Sequence, residues 1–357
     1  MLGIFPSLNP AVFGGVEESG RVAWSGIEKS SDSIGESRLL CYSPSGPGTV
    51  SGCWGGALYA RTKPGAILAA LGRQWPAGTI LIWHIDLLQL LPFLRVGRAK
   101  VVLFLHGIES WRRQNWFICS LLKRVDLFLS NSAYTWDRFV AFNRQFGHCP
   151  HQTIHLGLGA PLVGNESTSD SGPVVVMLGR MAEQEDYKGH REMIHAWRLV
   201  VQRIRDAELW IVGSGTLQKD LERVARESSV CHHVRFFGEV SPEKKQELLS
   251  QCRCLALPSR GEGFGLVYLE AMRIGKPCLV SSLDAGQEVV NPPEAGLAVN
   301  PDNIHEIADA TRRLLTRGRE WDGFSERARR RYERQFTAAH FQQRLLRVLV
   351  EVSPRFQ

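Results

Sequence analysis

Short apolar runs recur along the whole chain, each followed by a longer amphipathic stretch and a turn of Gly, Pro, Asn or Ser. Apolar runs without polar alternation predict strands buried on both faces, and the amphipathic stretches between them predict helices. In the first half the runs predict strands over 2–5, 39–42, 79–83, 101–105, 127–130 and 153–156. Helices are predicted over about 15–29, 62–75, 110–124 and 133–146, with a shorter apolar one near 86–94. The second half repeats the rhythm, with strands over 174–178, 209–212, 234–237, 254–257, 278–281 and 296–299. Its helices fall near 189–204, 215–228, 242–252, 265–274 and 303–317, and two basic amphipathic helices occupy about 325–350. Strands alternating with helices constrain the chain to parallel sheets covered on both faces. Residues 157–173 break the rhythm with Gly, Pro, Asn, Ser and Thr and read as an interdomain linker. The expectation is α/β: two doubly wound domains, 1–160 and 174–335, and a tail helix over 336–357. A chain of 357 residues is long enough for two cores.

Composition narrows the function classes. The most apolar stretch, 80–94, is interrupted by His84, Asp86, Gln89 and Pro92, too short and polar a run to cross a bilayer. Met1 to Pro6 lacks the basic leader and long apolar core of a signal peptide. The eight cysteines are scattered with no Cys-x-x-Cys pair, as free thiols of a reducing compartment would be, and the expected location is the cytoplasm. Cys231-His232-His233 has no second pair at ligand spacing, so packing is favoured over zinc. Residues 1–165 carry 15 Lys and Arg against 9 Asp and Glu, whereas 166–357 carry 28 against 27. Within 95–144 the balance is 9 basic to 3 acidic. A basic first half beside a nearly neutral second half suits an anionic membrane face or an anionic acceptor. No nucleic-acid motif or basic–aromatic repeat accompanies the charge, so nucleic acid is not expected as a partner.

The chemistry concentrates in Pro258-Ser259-Arg260-Gly261-Glu262-Gly263-Phe264-Gly265-Leu266-Val267-Tyr268-Leu269-Glu270-Ala271-Met272. This is a strand, a glycine-rich turn and a helix, an arrangement that aims free backbone N–H groups and a helix dipole at one spot. Glu262 in the turn and Glu270 about two turns into the helix add two carboxylates, suiting a ligand with hydroxyls as well as phosphates. As a bare pair they would also fit a hydrolase, and the alternative without function is a dipole-favoured acid plus a surface Glu. In Gly179-Arg180 and Tyr187-Lys188-Gly189-His190, Arg180 is expected to end the first strand of the second domain and Lys188 to open the following helix. An Arg fork and a Lys point charge at a sheet's carboxyl edge suit a diphosphate; solvated surface charge is the competing reading.

Glu262-Gly263-Phe264-Gly265 with Glu270-Ala271-Met272, together with Gly179-Arg180 and Lys188-Gly189, closely resembles the retaining nucleotide-sugar glycosyltransferases of family GT4. The resemblance runs from about Val174 to Phe336 and continues more weakly into the first half. It implies the GT-B architecture: two Rossmann-like doubly wound domains facing a cleft, with the last helix crossing back to the first domain. By resemblance Glu262 lies by the donor sugar, Glu270 binds the nucleotide ribose, and Arg180 and Lys188 hold the diphosphate. Phe264 packs, while N–H groups around Gly265 and Leu266 meet the donor. Gly179 lies beside Arg180, and Val240, within Gly238 to Ser241, falls where the family's backbone contacts the base. His106-Gly107-Ile108-Glu109 resembles the family's His-Gly-x-Glu element near the donor sugar, with Glu109 positioning acceptor or donor, or capping the helix. Without that context His106 reads as a core histidine. Gly14-Gly15 resembles the glycine turn after the first strand that lets backbone approach donor phosphates and acceptor. Asn131-Ser132 after another strand reads first as a helix N-cap, and as a site residue only by position. The loop over 7–13 departs from the family, so acceptor contacts do not transfer.

The implied reaction is transfer of a sugar from a nucleotide diphosphate-sugar to an acceptor hydroxyl, with retention. Domain closure would exclude water and the leaving phosphate would help deprotonate the nucleophile. No Asp-x-Asp follows an apolar strand, so no metal or other cofactor is expected; Arg180, Lys188 and helix N-termini would carry the leaving charge. The expected acceptor is a saccharide, lipid-linked in surface polysaccharide or glycolipid synthesis, reached at the cytoplasmic face of the membrane. Two alternatives stay open: a sugar-nucleotide epimerase or phosphorylase on the same fold, and a non-catalytic nucleotide-sugar-binding partner.

Overall fold

The computed structural model describes residues 1–9, 12, 14–30, 34–42, 58–72, 74, 75, 78–159 and 172–353. Cys53, part of the 7–13 loop and most of the 157–173 linker lie outside these residues. The chain forms two compact units, Met1–Gly159 with Thr337–Gln357, and Ala160–Phe336.

The first unit is built on β1 (Leu2–Phe5), β2 (Arg38–Tyr42), β3 (Leu58–Ala60), β4 (Thr79–Ile82), β5 (Lys100–Leu105), β6 (Leu127–Ser130) and β7 (His151–Thr153). They pair in the order β3-β2-β1-β4-β5-β6-β7, every neighbouring pair parallel. Around them lie α1 (Gly15–Lys29), α2 (Lys63–Leu71), α3 (Trp116–Leu122), α4 (Ala133–Phe142) and the C-terminal helix Ala338–Val352. Strands β1 and β4 are buried throughout, as expected of inner strands covered on both faces. Trp83 ties the unit together. Its ring stacks on Phe5 at 5.0 Å and meets Phe104 at 4.4 Å, and its Nε1 donates to the Val16 carbonyl of α1 at 3.0 Å. Phe341 of the C-terminal helix joins this cluster, and Gln342 donates to the Val22 carbonyl at 2.8 Å.

Three sequence expectations need correction here. The strand predicted over 153–156 forms at His151–Thr153; Ile154, Leu156 and Leu158 are apolar because they are buried as the chain leaves the sheet edge. The helix predicted over 110–124 covers only Trp116–Leu122, because Asn115 accepts the Ile118 N–H at 2.9 Å and caps it there. The edge strand β3, only three residues long, carried too little apolar pattern to be predicted.

The second unit pairs β8 (Val174–Leu178), β9 (Glu208–Val212), β10 (Val234–Gly238), β11 (Cys254–Leu257), β12 (Cys278–Ser281) and β13 (Gly296–Val299) in the order β10-β9-β8-β11-β12-β13, again all parallel. Its helices are α5 (His190–Val201), α6 (Gln218–Glu227), α7 (Pro242–Gln251), α8 (Leu266–Met272), α9 (Gly286–Val290), α10 (Ile304–Leu315) and α11 (Arg319–Gln335); the C-terminal helix is α12. The two basic tail helices are therefore longer than predicted and belong to different units. Buried Arg331 of α11 fastens its helix to α9 and the turn after it, donating to the carbonyls of Val289 and Glu288 and pairing with Glu294 at 2.8 Å. Among the described residues no helix is long and apolar enough to cross a membrane.

Candidate functional site

In the second sheet the winding reverses between β8 and β11, which lie side by side. Loops leaving such a pair run to opposite faces and open a crevice at the carboxyl ends. One loop carries Gly179 and Arg180; the other carries Pro258 to Gly265. Arg180 is two residues past the strand, rather than ending it. Lys188 closes a short 3-10 turn, Glu183–Lys188, and α5 starts at His190.

Glycine brings the two loops together. Gly189 has φ +81, and a Cβ there would stand 2.3 Å from the Pro258 carbonyl oxygen. Only a residue without a side chain allows that approach. The Arg260 N–H then donates to the Tyr187 carbonyl at 2.8 Å, and the Arg260 side chain pairs with Glu192 at 2.6 Å and with Asp302 at 2.5 Å. The aliphatic part of Lys188 lies over Gly179, where a Cβ would come within 3.1 Å of Cδ.

A chain of charges results. Lys188 Nζ lies 3.7 Å from Glu262 Oε2 and 3.3 Å from Glu185 Oε2, and Arg180 pairs with Glu185 Oε1. Burial alone would lower the Lys188 pKa, but Glu262 and Glu185 outweigh it and the pKa is raised. Lys188 is a firm cation. The Arg180 side chain is 80 % exposed and Lys188 only 15 %, so the pair offers one deep and one open positive group. Tyr187, half-buried beside them, has its hydroxyl pKa raised, first by burial.

Glu262 is held through its backbone. Its N–H donates to Asp284 Oδ2 at 3.3 Å, and its carbonyl accepts from Ala285 at 3.2 Å. Asp284 is 3 % exposed and also accepts the Gly286 N–H at 2.9 Å. Burial pushes the Asp284 pKa up to about 8; the Gly286 N–H opposes this and the Glu262 charge adds to it. Gly265, at φ +84, turns the chain into α8 and passes over Tyr268, whose hydroxyl donates to the Leu257 carbonyl at 3.1 Å. Phe264 is buried edge-on against Phe336 at 6.2 Å, while Leu266 opens the helix half-buried. Glu270 is the fifth residue of α8, a little over one turn in. Its Oε1 accepts from Lys245 of α7 at 2.8 Å, and its Oε2 is buried with no partner. Val240, half-buried, lies just before α7.

The other sequence candidates belong to the first unit. His106, 7 % exposed, follows β5 and its Nε2 is 2.6 Å from the Trp83 carbonyl. A carbonyl only accepts, so Nε2 carries the proton and Nδ1 is left as acceptor. Burial first, then the neighbouring His84, drive the His106 pKa down to about 3, so the ring is neutral. Glu109 folds back on its own turn, accepting the N–H groups of His106 and Gly107, each at 2.9 Å. Ser132 caps α4, while Asn131 instead donates to the His106 carbonyl at 2.5 Å. Gly14 is extended and exposed before α1, whose first turn holds Gly15, Glu17 and Glu18.

Sequence reasoning missed three participants. Glu185 had one signal, its spacing three residues before Lys188 on the same turn. Asp284 and Lys245 had none, because each meets its partner across the sheet order.

Two parallel sheets wound in this way define the GT-B fold, and comparison agrees. Over 98% of this chain and 100% of the other, the fold matches the Anabaena HepE protein solved in complex with UDP-glucose, with a TM-score of 0.73 at 17% identity. Residues 172–317 match the family model described as "Glycosyl transferases group 1". It is 33% identical over 157 residues to an uncharacterized glycosyltransferase of Methanocaldococcus jannaschii, covering 44% of this chain and 38% of that one. It is 28% identical over 243 residues to a GDP-mannose-dependent monoacylated alpha-(1-6)-phosphatidylinositol monomannoside mannosyltransferase of Corynebacterium glutamicum, covering 62% of each. The chain thus spans less than two thirds of the length of these curated relatives.

Proposed function

We propose that the protein is a retaining, metal-independent glycosyltransferase that moves a sugar from a nucleoside diphosphate sugar to an acceptor hydroxyl. The observation that carries this reading is the Arg180 and Lys188 pair beside Glu262, at the carboxyl edge where β8 and β11 part. Arg180 and Lys188 take the diphosphate, and backbone N–H groups at Gly179, Gly265 and Leu266 supply further donors. The buried free oxygen of Glu270 awaits a hydroxyl donor, which a ribose offers, and Val240 borders the base. Glu262 faces the sugar; His106 and Glu109 are the first unit's candidates for sugar or acceptor contact, with Gly14 and Gly15 at its first turn. In the reaction the bond from the anomeric carbon to the diphosphate breaks and the bond to the acceptor oxygen forms on the same face. The acceptor proton passes to the leaving phosphate, whose charge Arg180 and Lys188 stabilise without a metal ion.

The acceptor we assign is a saccharide carried on a lipid, with the first unit resting on an anionic cytoplasmic membrane face. Support comes from Trp116, 81 % exposed, beside exposed Phe117 and Phe142. A groove of about 590 Å³ lined by Arg113, Trp116, Phe142 and Gln145 lies among them, and Arg138 stands 5.4 Å over the Phe142 ring. Exposed aromatics among arginines suit an anionic interface. The Corynebacterium relative, named for a phosphatidylinositol mannoside acceptor, points the same way.

The test is a thermal-shift screen against UDP-, GDP- and ADP-sugars with and without EDTA, followed by a transfer assay with the donor that binds. Saturable stabilisation by one nucleotide class, unchanged by EDTA, is expected. Silence across the panel would remove the donor reading, and binding without transfer would leave only a nucleotide-sugar binder.

A further inference from the structure

Taking the diphosphate reading of Arg180 and Lys188 as its basis, the charge count around that pair leads further. Two cations face two carboxylates, Glu185 and Glu262, so the cluster is neutral before any donor arrives. A nucleoside diphosphate sugar brings two negative charges. Placed beside an intact Glu185 and Glu262, it would leave the cluster with an excess of two negative charges in a half-buried site, where like charges within a few ångströms repel strongly. One carboxylate therefore has to leave.

The geometry separates the two. Glu262 is anchored from behind by its backbone bonds to Asp284 and Ala285. Its link to Lys188 is long, at 3.7 Å. Glu185 instead spans both cations, one carboxylate oxygen on each, as two phosphate oxygens would. Its Oε2 reaches Lys188 at 3.3 Å without hydrogen-bond alignment, and no other hydrogen bond holds that oxygen. Glu185 also sits at the one kink of its 3-10 turn, with φ −118 and ψ 18. Rotation about its side-chain torsions is enough to free both cations.

We propose that Glu185 is a placeholder for the donor diphosphate: it keeps Arg180 and Lys188 paired in the empty site and is displaced from them when the donor binds. In the empty protein it keeps buried Lys188 from being an uncompensated charge. On binding it competes with the ligand, so donor affinity is the difference between two anions' claims on the same cations.

The experiment is calorimetric titration of UDP and of GDP into the wild-type protein, Glu185→Gln, Arg180→Ala and the double variant, with a ligand-free melt of each as the folding control. Glutamine keeps the shape of Glu185 and removes its charge. Glu185→Gln is expected to tighten binding of the preferred nucleotide by ~10-fold, the scale of a lost charge-assisted contact. Arg180→Ala is expected to weaken binding, and the gain from Glu185→Gln should shrink in the double variant. A role confined to bracing the turn would not tighten binding. Unchanged or weaker binding by Glu185→Gln, with Arg180→Ala still harmful, would overturn the placeholder and leave the diphosphate site standing. Unaltered affinity in Arg180→Ala, or binding of neither nucleotide by the wild type, would instead remove the diphosphate reading, and the placeholder with it.

Discussion

Gly189 and Pro258 approach so closely that a Cβ on Gly189 would lie 2.3 Å from the Pro258 carbonyl oxygen. That contact sets the Lys188 turn against the turn bearing Glu262. Gly189→Ala therefore has to strain a left-handed φ and push the two loops apart. It should cost at least ~2 kcal/mol in urea unfolding, since left-handed backbone alone is worth roughly 1–2 kcal/mol for an L-residue. It should also abolish nucleotide-induced stabilisation. A variant that melts and binds like the wild type would show that the loops do not depend on this contact.

Glu262→Ala and Lys188→Ala should each lower the rate of sugar transfer at least ~100-fold, the usual scale for removing one group that stabilises developing charge. Circular dichroism should report an intact fold. Glu270→Gln should behave differently: its free oxygen is assigned to ground-state recognition, so donor KM should rise with kcat little changed. Wild-type turnover in both Glu262→Ala and Lys188→Ala would sink the site assignment.

Stability should respond to pH through two opposed kinds of buried group. Burial lowers the pKa of His106 to about 3 and of His151 and His190 to about 4, from 6.5. Their contribution is complete above 6.5 and is lost as pH falls toward 4, because only the unfolded chain takes up protons there. Asp284, raised from 3.8 to about 8, has the opposite sign. Its contribution is complete below about 4 and is lost as pH rises through 8. The melting temperature of Asp284→Asn minus that of the wild type should therefore grow between pH 5 and 8 and then level. Parallel curves would contradict a neutral Asp284.

Trp116→Ala combined with Arg113→Ala should weaken binding to vesicles containing anionic lipid by ~10-fold at low salt, with wild-type binding falling as salt rises. Neutral vesicles should bind both proteins poorly. Absence of wild-type binding to anionic vesicles at low salt would end the membrane assignment.

The sheets and the positions of the candidate site residues were legible in sequence for a local reason. A parallel strand buried on both faces must be apolar throughout, and the residues just beyond it must turn, so Arg180, Lys188 and Glu262 are marked by their spacing from 174–178 and 254–257. Helix limits were legible less well, because an N-cap such as Asn115 overrides an apolar pattern that runs further. The same locality placed Glu270 on the helix after the turn. It did not show that Lys245 occupies one of its oxygens.

Sequence alone determined the alternation of strand and helix, the glycines that permit the turns, and which charged residues stand at strand ends. Those are properties of neighbouring residues and need no knowledge of the fold. The strand order decided the rest. Because β8 lies against β11 and β11 against β12, the turn bearing Glu185 and Lys188 comes to stand in front of Glu262, while Asp284, on the loop after β12, grips Glu262 from behind. Electrostatic contacts depend on distance in space, and a distance of 22 positions along the chain carries no information about 3.3 Å between two atoms.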